Sequence, residues 1–291
     1  MSVFLSLVNQ ISGPIMGMGN ILPRLIGVLA AAGRVMELEE MEAEQPKEEL
    51  PLSGATGVCL QDVSFTYDKD MAEQLPVLKH VSLEIRPGES VALVGVTGSG
   101  KTTIARLLLN LIEPESGCVL FTDANGQQVQ ASPSTRGLIA YVPQGNTLSS
   151  GTLRENLLAG GEASDEVIRS ALMTAEAGFA LELGLDAVIG ERGIGLSEGQ
   201  AQRLAIARAL IRGAGFLILD EASASLDMET EQKIMMNLRR ARQGITCLVI
   251  THRPSLLAIC DRCYRVKEGC VTEVNKRDLP SEWRDLASIE E

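Results

Sequence analysis

The apolar residues near the start of this 291-residue chain recur at helical spacing. The series consists of Leu5, Val8, Ile11, Ile15, Met18, Leu22, Leu25 and Leu29. Residues 1–23 carry no charge, but polar residues, Gly13 and Pro14 interrupt the run, which is a poor match to a complete membrane span. No basic residue precedes Arg24, so the segment lacks the charge pattern of a signal peptide. We therefore expect a helix whose apolar face needs a neighbour.

A different pattern follows residues 37–57, an acidic and then Pro/Gly-rich segment that is typical of a linker. Short apolar runs beyond it predict strands at 58–65, 81–86, 90–95, 215–220, 246–251 and 263–269. Helical periodicity predicts helices at 103–112, at 165–178 and after Gly199. Strands that alternate with helices imply a mostly parallel α/β core. A helix-rich stretch at about 145–212 interrupts this core, and we interpret it as an inserted subdomain.

Composition and charge narrow the class of protein. An apolar fraction of 45% and a charged fraction of 22% are ordinary for a folded domain. The net charge of −12 argues against nucleic acid as the main partner, because nucleic-acid-binding proteins concentrate basic charge. The six scattered cysteines indicate reduced thiols in a cytosolic protein. Cys260, Cys263 and Cys270 resemble part of a metal site, but they lack a fourth ligand, so we interpret them as buried structural thiols.

The segment GVTGSGKTT follows a predicted strand and precedes a predicted helix, the context in which G-x-x-x-x-G-K-[ST] forms a phosphate-binding loop. Its glycines, which allow a tight turn with N–H groups converging on phosphate, are Gly95, Gly98 and Gly100. Lys101 can reach the β- and γ-phosphates, and the Thr102 hydroxyl can ligate Mg²⁺. The alternative is a glycine-rich turn with a chance lysine, which does not account for the flanking strand and helix.

Polar residues also follow the other predicted strands. The carboxylate of Asp220 is suited to hold Mg²⁺. The carboxylate of Glu221 is suited to act as the general base for the water that attacks the γ-phosphate. Gln144 and His252 each close another strand, where ligands of α/β sheets gather, so we expect both to sense the γ-phosphate. Tyr67 suits a ring that stacks on a purine base, with a core tyrosine as the alternative.

A second phosphate-binding surface is predicted in the segment LSEGQAQR, residues 196–203. Ser197 and Gln200 form an S-x-x-Q capping box, which by itself marks only the start of a helix. Gly199 lowers helix propensity in the first turn, yet it allows a ligand to approach the backbone at a helix N-terminus, which favours phosphate. One ATP molecule would need both surfaces, and their separation along the sequence suggests that they meet across a dimer.

Together these motifs resemble the nucleotide-binding domain of ABC transporters of the exporter type, over about residues 58–275. The resemblance assigns GVTGSGKTT to the Walker A motif, LILDEAS to the Walker B motif and LSEGQ to the signature. The segment GERG, residues 190–193, resembles the X-loop that touches the coupling helices. The implied fold is a RecA-like P-loop NTPase: a mostly parallel α/β sheet core, an antiparallel β part and an inserted α-helical subdomain. The segment SLD, residues 225–227, resembles the D-loop. Further nucleotide contacts are implied for Thr97, Ser99, Thr103 and the D-loop residue Asp227.

The resemblance also implies an ATPase that uses Mg²⁺. The metal would be held by Thr102, Gln144 and Asp220. The catalytic residues would be Glu221, Gln144 and His252, with Glu221 as the catalytic carboxylate. Tyr67 would lie in the family's aromatic base-stacking loop.

The implied assembly is a head-to-tail dimer, homomeric or heteromeric. Ser197, Gly199 and Gln200 of one subunit would cap the γ-phosphate of the ATP held by Lys101 of the other. The dimer would power the transmembrane domain of an exporter at the cytoplasmic face of the cell membrane, and an isolated fragment would be cytosolic. Nucleic acid is not expected as a partner.

The resemblance predicts a division of the chain into four parts. Residues 1–45 resemble the end of an exporter's last transmembrane helix and its connecting helix, and 46–57 form a linker. The ATPase domain spans 58–275, and 276–291 form a tail. The signature departs from its commonest form, which has glycine where this chain has Glu198. An inward-pointing carboxylate there would weaken the capture of ATP.

Other classes of function are alternatives. Chromosome-maintenance ATPases insert long coiled coils between the Gln144 loop and the signature, and this chain has too few residues there for such an arm. Translation-type ATPases carry two cassettes on one chain, whereas this one has a single cassette. A regulatory or degenerate ABC ATPase without transport activity of its own stays open, since Glu198 favours it while Glu221 and His252 argue against it.

Overall fold

The computed structural model describes residues 21, 23–39, 44, 50–67, 76–190, 195–222, 225–240 and 245–275. The chain divides into two compact units, Met1–Pro46 and Lys47–Glu291. Three predicted features lie outside the described residues: the helical stretch at 1–20, the X-loop residues 191–193 and the tail at 276–291.

The described part of the first unit is a helix, α1, over residues 23–39. Its apolar side chains are exposed, among them Leu25, Val28, Leu29 and Met36. Within the described ranges, no helix combines the length and the apolar composition that crossing a membrane requires.

The second unit holds all described strands and the remaining helices. Its strands are β1 (Thr56–Phe65), β2 (Leu78–Ile85), β3 (Ser90–Val94), β4 (Ser116–Asp123), β5 (Gln128–Gln130), β6 (Ile139–Val142), β7 (Gly151–Thr152), β8 (Val188–Ile189), β9 (Phe216–Asp220), β10 (Thr246–Ile250), β11 (Arg262–Lys267) and β12 (Cys270–Glu273). Its helices are α2 (Lys101–Leu108), α3 (Leu153–Leu158), α4 (Asp165–Thr174), α5 (Phe179–Leu183), α6 (Glu198–Ile211), α7 (Met228–Arg240) and α8 (Pro254–Ile259), and Pro133–Leu138 form a 3₁₀ helix.

The main sheet has six strands in the order β12-β11-β3-β10-β9-β6. The five strands from β11 to β6 are parallel, and β12 pairs antiparallel with β11 at the edge. Strand β9 is buried on both faces: Leu217 and Leu219 pack in the cluster that includes α6, whereas Phe216 and Ile218 pack with the antiparallel sheet. A strand that is buried on both faces needs apolar side chains at every position, which explains why the sequences of the central strands are continuously apolar.

Two further layers flank the main sheet. An antiparallel sheet in the order β2-β1-β4-β5 packs against one face, and helices α3, α4 and α6 contact each other on the other side. Strands β4, β5 and β12 and the short antiparallel pair of β7 and β8 were not predicted from the sequence. Every second residue of β4 from Val119 to Asp123 is buried. Because one of these buried residues is an aspartate, the sequence of β4 does not show a clear alternation of apolar and polar residues.

Two predicted helices end earlier than their hydrophobic pattern suggests. The helix predicted at 103–112 spans Lys101–Leu108, and Asn110 then takes a left-handed backbone with φ of 47°. The helix predicted at 165–178 ends at Thr174, and Glu176 follows with φ of 53°. Left-handed residues end helices. Beyond them, Ile112 and Ala177 still pack in the core, whereas Leu111 is exposed.

The cysteine prediction is partly wrong. Cys260 and Cys263 are buried, as expected for structural thiols, but Cys270 is exposed because it lies on the edge strand β12. The described part of the chain contains no group of three or more His, Cys, Asp or Glu side chains placed to hold a metal ion.

Candidate functional site

The glycine-rich loop joins the central strand β3 to helix α2, as predicted. Gly98 and Gly100 have φ of 79° and 110°, which favour glycine, and Gly100 is the N-terminal cap of α2 without any side-chain cap. A Cβ at Gly95 would lie 2.5 Å from the Val266 carbonyl oxygen, so only glycine fits beside β11. The Ser99 hydroxyl is buried and has no hydrogen-bond partner among the described residues. An uncapped helix N-terminus and an unpaired buried hydroxyl are the donors that a phosphate group would use.

Lys101 is buried and folds back on its own loop. Its Nζ donates to the carbonyl oxygens of Gly95 at 2.8 Å and Val96 at 3.0 Å. Burial lowers the pKa of Lys101, and the nearby carboxylates of Glu221 and Asp220 act in the opposite direction. Lys101 therefore already lies within the electrostatic reach of the two acids that end β9.

Asp220 ends β9 and is almost fully buried. Its carboxylate accepts a hydrogen bond of 3.1 Å from the Tyr141 hydroxyl, which comes from the neighbouring strand β6. Burial raises the pKa of Asp220 and Glu221 adds to the rise, while Tyr141 and Lys101 oppose it. A buried carboxylate next to a phosphate-binding loop is suited to hold Mg²⁺, which prefers oxygen ligands.

Glu221 lies at the centre of a cluster at the carboxyl edge of the sheet. Gln144, two residues beyond β6, donates from Nε2 to the Glu221 carboxylate at 2.9 Å. His252, two residues beyond β10, has its Nδ1 3.7 Å from the other Glu221 carboxylate oxygen. The three predicted catalytic residues thus come together because β6, β9 and β10 are parallel and end at the same edge.

Tyr67 is half exposed and is held by α2. Its hydroxyl lies 3.2 Å from the Thr103 hydroxyl and accepts a hydrogen bond of 3.0 Å from Arg106. The ring packs edge-on against Phe65, with centroids 4.9 Å apart. The core-tyrosine alternative does not hold, since 48% of the surface of Tyr67 is exposed.

The signature segment forms the predicted capping box at the start of α6. The Ser197 hydroxyl accepts from the Gln200 N–H at 3.2 Å, and the Gln200 side chain accepts from the Ser197 N–H at 2.8 Å. A serine hydroxyl that accepts one bond can still donate its own proton to a ligand.

An open cavity of about 500 Å³ lies at this helix start, lined by α6, the loop before α7 and the first turn of α7. Asp227 and Arg203 both line it. Asp227 accepts from the Thr230 N–H at 2.9 Å, and this hydrogen bond lowers the pKa of Asp227. Glu198 is exposed on the first turn and also lines the cavity. The lining residues belong to α6, α7 and the loop before α7, and none of them belongs to the glycine-rich loop.

The structure gives a reason for glycine at position 199 that the sequence did not reveal. A Cβ there would lie 3.0 Å from the Ser225 carbonyl oxygen and 3.4 Å from the Leu226 side chain. The close approach that glycine allows is therefore to the D-loop of the same chain.

The sequence analysis missed several supporting residues, among them Tyr141, Arg106 and Arg253. Arg253 donates to the Leu226 carbonyl at 2.9 Å and lies 3.4 Å from the buried carboxylate of Glu231. Each of these residues donates a hydrogen bond from one element to a predicted site residue or segment on another element. One feature of the sequence could have pointed to two of them: Tyr141 lies three residues before Gln144, and Arg253 directly follows His252.

Comparison with known proteins agrees with this geometry. The family profile described as "ABC transporter" matches residues 78–224, which is just over half of the chain. The chain belongs to the ABC transporter family. The family and the P-loop NTPase fold predicted from the motifs are thereby confirmed, and the described unit from β1 to β12 contains the ABC ATPase fold.

Individual ABC relatives are exporters. The chain is 39% identical over 253 residues to an ATP-dependent lipid A-core flippase of Thiobacillus denitrificans, covering 84% of this chain and 43% of that protein. It is 35% identical over 268 residues to a probable multidrug resistance ABC transporter ATP-binding/permease protein, YheI, of Bacillus subtilis, covering 89% and 45%. A solved structure of a bacterial Atm1-family ABC exporter with ATP bound superposes with a TM-score of 0.76 at 30% identity, covering 89% and 46%. The chain thus spans less than half the length of the relatives it matches.

Proposed function

We propose that this ABC ATPase binds and hydrolyses ATP as one half of a head-to-tail dimer that powers an exporter. The observation that carries the proposal is the cluster at the carboxyl edge of the sheet. There the Glu221 carboxylate is held by Gln144 at 2.9 Å and lies 3.7 Å from His252, next to a phosphate-binding loop.

The glycine-rich loop would bind the phosphates of ATP. Lys101 can exchange its two carbonyl partners for β- and γ-phosphate oxygens, and Ser99 and the first N–H groups of α2 supply further donors. Thr97, Gly98 and Thr102 lie at exposed positions of the loop, where they can reach the same ligand. Stacking of the base is assigned to Tyr67, whose ring is already fixed by Thr103 and Arg106.

Mg²⁺ fits the oxygen groups present. Thr102, Gln144 and Asp220 would hold it, directly or through water, and it would neutralise charge on the phosphates. Glu221 is then the general base for the attacking water. Gln144 fixes one carboxylate oxygen, which leaves the other near His252 to accept the proton.

The second half of each site would come from the partner's signature. Ser197 and Gly199 line the open cavity that Asp227 also lines, and Gln200 is hydrogen-bonded to Ser197. No residue of the glycine-rich loop lines this cavity. Two ATP molecules between two chains would satisfy both surfaces. Glu198 shares this cavity, and the alternative of a degenerate ATPase rests on its charge.

The wider assignment follows from the relatives. Residues 1–45 would belong to the transmembrane part and its connecting helix, 46–57 to the linker, 58–275 to the ATPase domain and 276–291 to a tail. The partner would be an exporter's transmembrane domain, at the cytoplasmic face of the membrane. The exposed apolar side chains of α1 support this partner, since they need an apolar neighbour.

Light scattering of the chain carrying Glu221→Gln, with and without Mg-ATP, tests the proposal. We expect a change from monomer to dimer that requires ATP and is lost when Ser197→Arg is added. Ser170→Arg, on the exposed surface of α4, is the matched control and should leave the dimer intact. A protein that binds ATP but stays monomeric would contradict the shared site.

A further inference from the structure

Gln202 is a buried amide on α6 that lies within the predicted segment 196–203, but the sequence analysis gave it no role. Only 4% of its surface is exposed. Its Nε2 donates to the Glu221 carbonyl at 3.4 Å, and its Oε1 accepts from the Ser225 N–H at 3.1 Å. One side chain therefore joins the signature helix to the backbones of Glu221 and Ser225.

The backbone of Glu221 needs such support. Its φ of 48° lies in the left-handed region, which a residue with a side chain keeps only when its surroundings hold it there. The Glu221 N–H donates to the Ile250 carbonyl of β10 at 2.9 Å, and Gln202 holds the carbonyl of the same residue. The two contacts fix the peptide groups on both sides of the Glu221 side chain, and so fix where its carboxylate points.

The D-loop is fixed between the same elements. Gly199 of α6 is close to the Ser225 carbonyl, and Arg253, which follows His252, donates to the Leu226 carbonyl at 2.9 Å. A displacement of α6 therefore moves the Gln202 amide relative to Glu221, while Arg253 resists the movement of the D-loop. Among the described residues of α6, Gln202 is the one whose side chain hydrogen-bonds directly to Glu221.

We propose that Gln202 is a positioning residue that makes the orientation of the Glu221 carboxylate depend on the position of α6. This inference rests on the proposed function, in which Glu221 is the general base and the start of α6 receives the partner's nucleotide. Seating of the signature on ATP would then align the general base in the same chain.

A buried amide that bridges two backbone segments can also be purely structural, and the chain offers a control for this case. Asn156 is equally buried at 4% and bridges the Ser149 and Thr152 backbones, without a hydrogen bond to the site. Asn156→Asp is expected to lower the melting temperature while kcat for ATP stays unchanged.

The test is the ATPase kinetics of Gln202→Met, which has a similar size but neither hydrogen bond. We expect kcat to fall about tenfold to hundredfold, the loss typical of a misplaced catalytic group, while KM and ATP affinity stay unchanged. Gln202→Glu keeps the acceptor for Ser225 and loses the donor to Glu221, so its kcat should fall as well. If Gln202→Met does not fold, the kcat of Gln202→Glu tests the proposal instead.

Coupling to Glu221 is tested in the double variant. Because Gln202 acts through Glu221, Gln202→Met combined with Glu221→Gln should be no slower in single turnover than Glu221→Gln alone. Folded Gln202 variants with unchanged kcat, or with a loss confined to KM or melting temperature, would overturn the inference but leave the proposed function standing. Full turnover by Glu221→Gln would overturn both.

Discussion

Gln144 and Glu221 are 77 residues apart in the sequence, yet the Gln144 side chain donates a 2.9 Å hydrogen bond to the Glu221 carboxylate. The contact exists because β6 and β9 are parallel neighbours whose carboxyl ends meet. It leaves one Glu221 oxygen fixed and the other facing His252. A residue proposed to respond to the γ-phosphate therefore directly orients the proposed general base.

Replacing the proposed base separates binding from turnover. Glu221→Gln should keep ATP affinity and lower the hydrolysis rate by at least about 10²-fold, because general base catalysis contributes about 10²–10⁴-fold. Nucleotide binding by calorimetry and phosphate release measure the two effects. Glu268→Gln, at another left-handed glutamate, in the turn between β11 and β12, is the control and should hydrolyse normally. Unchanged hydrolysis by Glu221→Gln would remove the general-base assignment.

Removing the buried cation should abolish nucleotide binding. Lys101→Ala deletes the ammonium that the Gly95 and Val96 carbonyls hold at the glycine-rich loop. Lys233→Ala is the matched control, since Lys233 is an exposed lysine paired with Glu229 at 2.6 Å and should not affect binding. Titration with a fluorescent ATP analogue distinguishes them, and retained affinity in Lys101→Ala would contradict the assignment of the loop.

Adding one methyl group at Gly95 should destabilise the loop. The new Cβ would lie 2.5 Å from the Val266 carbonyl and 2.7 Å from the Ser99 hydroxyl, and Val266 belongs to a paired strand that cannot shift freely. We expect a loss of about 1–3 kcal/mol in the free energy of unfolding, the usual cost of overpacking. Gly137→Ala is the control, because a Cβ there meets nothing within 4 Å. Equal denaturation midpoints for the two variants would argue against the close approach.

The ionised carboxylate of Asp220 should lower the free energy of unfolding at neutral pH. Its pKa is raised by burial, so the folded protein binds this proton more tightly than the unfolded chain does. The stabilising contribution is therefore fully present in acid, below the unfolded pKa, and is lost as the pH rises through the folded pKa. Asp220→Asn, which can still accept from Tyr141, should melt higher than the wild type at neutral pH, and the difference should shrink in acid.

Asp227→Asn gives the opposite sign and serves as the control for that experiment. The pKa of Asp227 is lowered by the hydrogen bond from Thr230, so its contribution is present above the unfolded pKa and is lost as the pH falls. Asp227→Asn should melt lower than the wild type at neutral pH. The same sign of change in both variants would contradict the assigned electrostatics.

Features that depend on neighbouring residues in the chain were predictable from the sequence. The glycine-rich loop, the capping box of Ser197 and Gln200, and the continuously apolar run of β9 each encode a local conformation or a burial on both faces. Their order along the chain was specific enough to predict the family and the fold. Helix ends were predicted less well, since the left-handed turns at Asn110 and Glu176 follow helices whose apolar pattern continues.

The pairing of side chains across elements was decided only by the tertiary structure. The contacts of Tyr141 with Asp220, of Arg253 with Leu226 and of Gln202 with Glu221 join residues whose spacing carries no periodic signal. They arise because parallel strands bring their carboxyl ends to one edge while α6 packs beside the D-loop. The sequence alone determined which chemical groups are present and which loops carry them. Packing determined which of those groups orient one another, because hydrogen bonds depend on distances that form only when the sheet and helices assemble.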